Sequence, residues 1–189
     1  MNGRAAALFW IALAGCAPAP RTGLHLAPVQ LAATDGASHE VLPAEGGPRL
    51  TVLVFSAWHC PCQSAHDGRL DLLFARYHER GVDFYAVDSE VGGSLAEDAA
   101  QARKRGYGFP VLLDPGATLA RALHAEYATE SFVLDCHGVV RYHGGLDSDG
   151  ATLHERAVRH LENAIDDLLR DTPPRSAETK ALGCALQTW

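Results

Sequence analysis

The chain has 189 residues, 47% of them apolar and 21% charged, and its 23 acidic against 16 basic side chains give a formal charge of −7 at pH 7. A chain of this length makes one domain of ordinary size, with a core that needs neither a metal nor a disulfide to hold it. The acidic balance, with Lys104 and Lys180 as the only lysines, argues against nucleic acid or any other polyanion as partner.

Residues 1–15 read as a signal peptide: a basic Arg4 precedes the apolar run Ala5 to Ala14, which is too short to span a bilayer as a stable helix. Leu13-Ala14-Gly15-Cys16 resembles the bacterial lipobox. That resemblance implies cleavage before Cys16 and lipidation of its thiol, and Ala17 in the next position implies sorting to the outer membrane. An ordinary secretory signal cut after Ala17 or Ala19 is the competing reading. The mature chain is expected as a lipoprotein on the periplasmic face of the outer membrane, anchored by acyl chains and otherwise soluble. It keeps Cys60, Cys62, Cys136 and Cys184 in an oxidising compartment, and the sequence does not choose among the pairings open to them.

Residues 16–48 form a lipidated tether and N-terminal extension, Pro/Ala-rich as far as Ala27, with an edge strand expected within Leu24 to Leu31 and a turn-rich stretch from Thr34 to Pro48. Residues 49–171 carry the domain. Leu50 to Ser56 is an almost unbroken apolar run, the pattern of a strand covered on both faces. After His59-Cys60-Pro61-Cys62 the apolar residues Leu70, Leu73, Phe74 and Tyr77 recur at helical spacing, and Gly81 closes the helix. Val82 to Asp88 reads as a second strand. Ser94 to Arg105 reads as a helix capped by Ser94 with Glu97 three residues on, and Arg103-Lys104-Arg105 as its solvated, dipole-favoured end. Phe109 to Leu113 makes a third strand, ended by the turn Asp114-Pro115-Gly116, and Thr118 to His124 a short helix. Ser131 to Leu134 and Val139 to Tyr142 form an antiparallel hairpin through Asp135-Cys136-His137-Gly138. A last helix is expected over Thr152 to Leu169, stopped by Pro173-Pro174, and residues 172–189 form a tail containing Cys184.

The chemistry gathers at the first strand-to-helix turn. A helix N-terminus offers unpaired N–H groups and partial positive charge, which favour a thiolate, and Pro61 suits the first helical position. Cys60 is the expected nucleophile, Cys62 its partner one residue away, and His59, when protonated, an activator. Cys136, in a tight turn, is expected to be a small exposed or half-buried residue. Asp67, Asp71 and Asp88 are most simply solvated. Cys60, Cys62, His59 and His66 also put sulfur and imidazole within one turn, a set suited to Cu(I).

The segments VLVFSAWHCPC, GVDFYAVD, GYGFPVLLDPGATLARAL and ESFVLDCHGVVRYHGGLD, in this order, resemble the thioredoxin fold, an α/β architecture with a central mixed β-sheet flanked by α-helices. More closely they are similar to its extracytoplasmic branch of alkyl-hydroperoxide-reductase/thiol-specific-antioxidant (redoxin) and TlpA/ResA-type proteins. The resemblance implies a thiol-disulfide oxidoreductase with no cofactor, working on a thiol- or disulfide-containing periplasmic protein or a small thiol. Cys60 falls on the family's nucleophile. The family's second cysteine falls on Gln63, so the second thiol, Cys62, comes one residue early and closes a small, strained, oxidising ring. Thr129 stands where the family commonly has a cis-proline lining the substrate groove, and a trans bond is expected there. Two rivals remain open. One is a copper-binding or copper-delivery protein similar to the Sco type, using Cys60, Cys62 and His66, with His124, His137 or His143 as a distant ligand. The other is a peroxiredoxin-like thiol peroxidase with Cys184 as resolving residue, although Ala57 replaces the Thr/Ser of the peroxide motif.

Overall fold

The computed structural model describes residues 21–42 and 49–188. The signal segment and Cys16 lie outside these residues. Among the described residues no helix is long and apolar enough to cross a membrane.

The strands are β1 (Val29–Ala32), β2 (Ser38–Val41), β3 (Leu50–Ser56), β4 (Val82–Asp88), β5 (Val111–Leu113), β6 (Ser131–Asp135) and β7 (Val140–Gly144). The helices are α1 (Pro61–Tyr77), α2 (Leu95–Arg105), α3 (Thr118–Leu123) and α4 (His160–Leu169). A five-stranded sheet runs β5-β4-β3-β6-β7. β3, β4 and β5 are parallel, while β6 runs antiparallel to β3 and β7 to β6. Every residue of β3 is buried, as its apolar run requires of a strand with helices on one face and a second layer on the other.

The alternation of strand side chains divides the core in two. Val52, Val54, Phe84, Ala86 and Val133 face α1 and α4, where Leu70, Tyr77, Leu161 and Ile165 pack on them. Leu53, Phe55, Val87, Phe132 and Leu134 face α3 and the N-terminal extension, which contributes Leu26, Leu31 and Val41. The extension is thus part of the same body. The expected edge strand within Leu24 to Leu31 forms in two pieces. Leu24 and Leu26 bond to Val140 and Gly138 at the sheet edge, and Val29–Ala32 then leaves to make a separate hairpin with Ser38–Val41, inside the stretch expected as turn.

α1 buries Gln63, His66, Leu70, Leu73 and Tyr77, a stripe at alternating three- and four-residue steps whose first two members are polar. Gly81, at φ 78°, supplies the left-handed residue that ends the helix region. Ser94 caps α2 by accepting the Glu97 N–H at 3.3 Å, as its spacing predicts. α4 starts eight residues later than the periodicity suggests. Asp149 takes the N–H of His154 at 2.6 Å and Ser148 Oγ the N–H of Val158 at 2.9 Å, so side chains claim the donors a helix would need. Leu153 and Val158, expected on the apolar face, are 39% and 52% exposed.

The tail is docked along its length rather than free. Asp167 holds Arg175 through Nε at 2.9 Å and Nη2 at 2.8 Å, and Thr179 N–H bonds to His143 O at 3.0 Å beside β7. The chain then reaches the N-cap of α1 at Cys60 and goes on to the segment after β4, where Val91 N–H donates to Gln187 O at 2.7 Å.

Candidate active site

Cys60 is the N-cap of α1, at φ −82° and ψ 118°, with Pro61 in the first turn. Its side chain is buried at 1% exposure. One backbone donor reaches the sulfur in hydrogen-bond geometry, the N–H of Cys184 at 3.3 Å. Burial pushes the Cys60 thiol up, but the Cys184 thiol and the N–H groups of Gln63, Cys184 and Cys62 favour the anion more strongly, and the balance lies below the ordinary cysteine value. The neighbouring thiols move the other way. Cys62 is raised by burial and by the Cys60 charge, and Cys184 is pushed up to about 11, first by its hydrogen bond to Cys60 and then by burial. Of these three thiols, Cys60 is the one whose anion the surroundings favour.

The turn from β3 to α1 is braced by side chains whose roles the sequence did not disclose. Gln63 Oε1 accepts the Ala57 N–H at 2.6 Å, and its amide donates to the Tyr107 hydroxyl at 3.2 Å. Tyr107 donates to Asp67 at 2.6 Å. Arg105 donates to Trp58 O at 2.6 Å, to Asp67 at 2.7 Å and to Ser64 Oγ at 3.0 Å, and its guanidinium lies over the Trp58 ring. Asp67 and Arg105 are thus structural partners, not solvated charges. The expectation for Asp88 is also overturned: it is 2% exposed and accepts the Glu90 N–H at 2.9 Å, and near it the buried Asp98 accepts from Trp58 Nε1 at 2.8 Å. Burial pushes Asp98 up to about 7, against the Trp58 bond and with the help of the Asp88 charge.

His66, 1% exposed, bonds to Cys62 O at 2.7 Å through Nδ1 and to Asp147 at 3.0 Å through Nε2. Both partners only accept, so both ring nitrogens carry hydrogen and neither is free to ligate a metal. Among the described residues no group of three or more His, Cys, Asp or Glu is placed to hold a metal ion. His59 is exposed. His124 ends α3 in the left-handed region and His137 lies in the β6–β7 turn, both exposed.

His143 belongs to a buried cluster. It and Arg21 share Glu130 Oε1, Arg21 at 2.6 Å, while Glu130 Oε2 accepts the N–H groups of Glu126 and Tyr127 at 2.6 and 2.9 Å. Arg21, Cys62, Glu130, His143 and Lys180 line one open cleft. Thr129 is 3% exposed, its N–H bonded to Phe55 O at 2.8 Å and its φ at +66°, a left-handed conformation that a β-branched residue adopts under strain. All described peptide bonds are trans, as expected at Thr129. Cys136 is exposed at the end of the sheet opposite Cys60, about 20 Å away along β3 by strand rise, and does not join the other thiols.

A family model described as Redoxin matches residues 17–161. The chain belongs to the redoxin family. No curated protein matches this redoxin. Among solved structures, an uncharacterized conserved protein of Geobacillus kaustophilus is 24% identical over 89% of this chain and 92% of its own, with a TM-score of 0.79. A putative protein disulfide isomerase of Bacteroides thetaiotaomicron is 19% identical over 79% and 91%, with a TM-score of 0.61. A peroxidoxin of Mycobacterium tuberculosis is 18% identical over 63% and 81%, with a TM-score of 0.54. These likenesses establish the thioredoxin-like fold expected from the sequence.

Proposed function

We propose that this redoxin is a lipid-anchored thiol-disulfide oxidoreductase of the bacterial envelope, with Cys60 as nucleophile and Cys62 as the thiol that resolves its mixed disulfide. It acts on a thiol- or disulfide-containing periplasmic protein or a small thiol, and uses no cofactor. The observation that carries this reading is the Cys60 sulfur at the N-cap of α1, buried, reached by the Cys184 N–H at 3.3 Å and one residue from the Cys62 thiol.

The Cys60 thiolate attacks one sulfur of a partner disulfide, and the other sulfur leaves as a thiolate and takes up a proton. Cys62, on losing its proton, attacks the Cys60 sulfur. That releases the partner as a dithiol and leaves a Cys60–Cys62 bond. In the reverse direction the oxidised pair passes its disulfide to a partner dithiol, and the small ring across Pro61 favours that donation. Peroxide chemistry is less well supplied: Ala57 offers no hydroxyl, and Arg105 is committed to Trp58, Asp67 and Ser64. Copper handling is less well supplied because His66 has no free ring nitrogen.

Turnover of a disulfide substrate by the mature protein and its Cys60→Ser and Cys62→Ser variants tests the reading. Cys60→Ser is expected to abolish exchange, and Cys62→Ser to accumulate the mixed disulfide. Unchanged turnover in Cys60→Ser, or tight copper retention without any turnover, overturns it. For the anchor, Cys16→Ser is expected to leave the membrane fraction or stay unprocessed; unaltered recovery in that fraction overturns the lipid at Cys16.

A further inference from the structure

Exchange with a polypeptide needs a place for the partner's chain beside Cys60, and the protein's own tail fills that place. Residues 183–186 run antiparallel to residues 126–128. Ala128 N–H donates to Cys184 O at 2.8 Å, Leu186 N–H donates to Glu126 O at 2.9 Å, and Tyr127 and Ala185 form a β-bridge. Leu186, two residues past the cysteine, is 7% exposed and packs into the core cluster that contains Cys60. Gly183 passes so close to the loop that a Cβ there would lie 1.7 Å from Ala128 O. Main-chain pairing along an edge, an apolar anchor in a pocket and a cysteine delivered to the nucleophile are the attributes of a peptide recognised by strand addition.

We infer that the groove between Cys60 and residues 126–129 takes an extended polypeptide with glycine immediately before its reactive cysteine and an apolar residue two positions after it. Residues 183–186 occupy that groove as a built-in competitor which the partner displaces. This rests on the oxidoreductase reading and adds the shape of the partner. Glycine is required because the approach to Ala128 O leaves no room for a Cβ. The arrangement also divides the work between the two neighbouring thiols. While a partner sits in the groove the tail is out, so Cys62 resolves. Once the partner has left, the Cys184 thiolate attacks the Cys60 sulfur of the Cys60–Cys62 disulfide. A Cys60–Cys184 bond forms, Cys62 leaves as a thiolate, and it takes up the proton Cys184 gave away. No net oxidation occurs, and the small ring is exchanged for a large one.

The test uses the full mature chain, Gly183→Ala and Leu186→Asp, the last two expected to expel the tail. Three disulfide probes are needed: 2,2′-dithiodipyridine, a thiopyridyl mixed disulfide of a peptide with the sequence of residues 181–188, and the same peptide with alanine for its glycine. In the tail-expelled variants the glycine peptide is expected to react with Cys60 at least about tenfold faster than the alanine peptide, the factor for losing roughly one backbone hydrogen bond. Both variants are expected to react with the glycine peptide about tenfold faster than wild type and to lose hydrogen-exchange protection at the Ala128 amide. Equal rates for the two peptides, with the small probe active, overturn this inference alone. So does an unchanged glycine-peptide rate once Ala128 protection is lost, or protection that survives in both variants. A Cys60 inert even to the small probe overturns the oxidoreductase reading and this one with it.

Discussion

Replacing His66 by leucine asks how firmly the first turn of α1 is held from beneath. Burial lowers the proton affinity of His66, but the bonds to Asp147 and to Cys62 O outweigh it, so its pKa stands above the ordinary 6.5. Asp147, despite its own burial, is held below the ordinary 3.8 by His66, by the Asp149 N–H and by Arg69. Removing one partner of a buried pair costs about 3–5 kcal/mol. Here Asp147 keeps Arg69 and the Asp149 N–H, which places the loss at about 2–3 kcal/mol, or roughly 5–10 °C in a domain of this size. The sign with pH follows from both partners. A raised histidine pKa stabilises fully below its unfolded value and is lost as pH rises through the folded one. A lowered aspartate pKa stabilises above its unfolded value and is lost as pH falls through the folded one. The advantage of wild type over His66→Leu is therefore expected to be full between pH 3.8 and pH 6.5 and to shrink on either side. Urea unfolding at about pH 6 and about pH 9 measures it. A loss below about 1 kcal/mol at the lower pH, or a difference that does not shrink at the higher one, refutes the cationic His66.

Asp98, raised to about 7 from 3.8, stabilises the fold only while protonated, and that stability is lost as pH rises through the folded value. Asp98→Asn keeps an acceptor for Trp58 Nε1 and is expected to outlast wild type by about 1–3 kcal/mol at about pH 8; calorimetric melts that rank wild type higher there count against it. Cys184→Ala keeps the backbone donor to Cys60 but removes the side-chain donor, so the pH profile of iodoacetamide labelling at Cys60 is expected to move upward. An unmoved profile sinks the role given to the docked tail in stabilising the thiolate.

What the sequence disclosed was local. The apolar run Leu50–Ser56, the Ser94 cap, the Asp114-Pro115-Gly116 turn and Pro61 at a helix start are decided by residues within a few positions of each other, and each lies where its pattern puts it. Cys60 at the N-cap was legible for the same reason. What escaped was long-range pairing. Arg105 and Asp67 read as ordinary surface charges because nothing in a helix-end run tells that its last arginine reaches Trp58 O, 47 residues away in the chain. The last helix was overextended because periodicity does not see Asp149 and Ser148 capturing backbone donors. The tail's place beside Cys60 escaped as well. Its docking depends on Ala128 and Glu126 carbonyl and amide groups, which no side-chain pattern reports.

Arg21 gives the cleft an address. Its guanidinium is fixed on Glu130 and Glu126 at the wall that Cys62 shares. If Cys16 carries the proposed lipid, the chain between them spans no more than about 18 Å even fully extended. The mouth of the cleft is then leashed to the leaflet, and partners whose cysteines stay far out in the periplasm are out of range however well they would fit. Selection by height above the membrane would precede any selection by sequence.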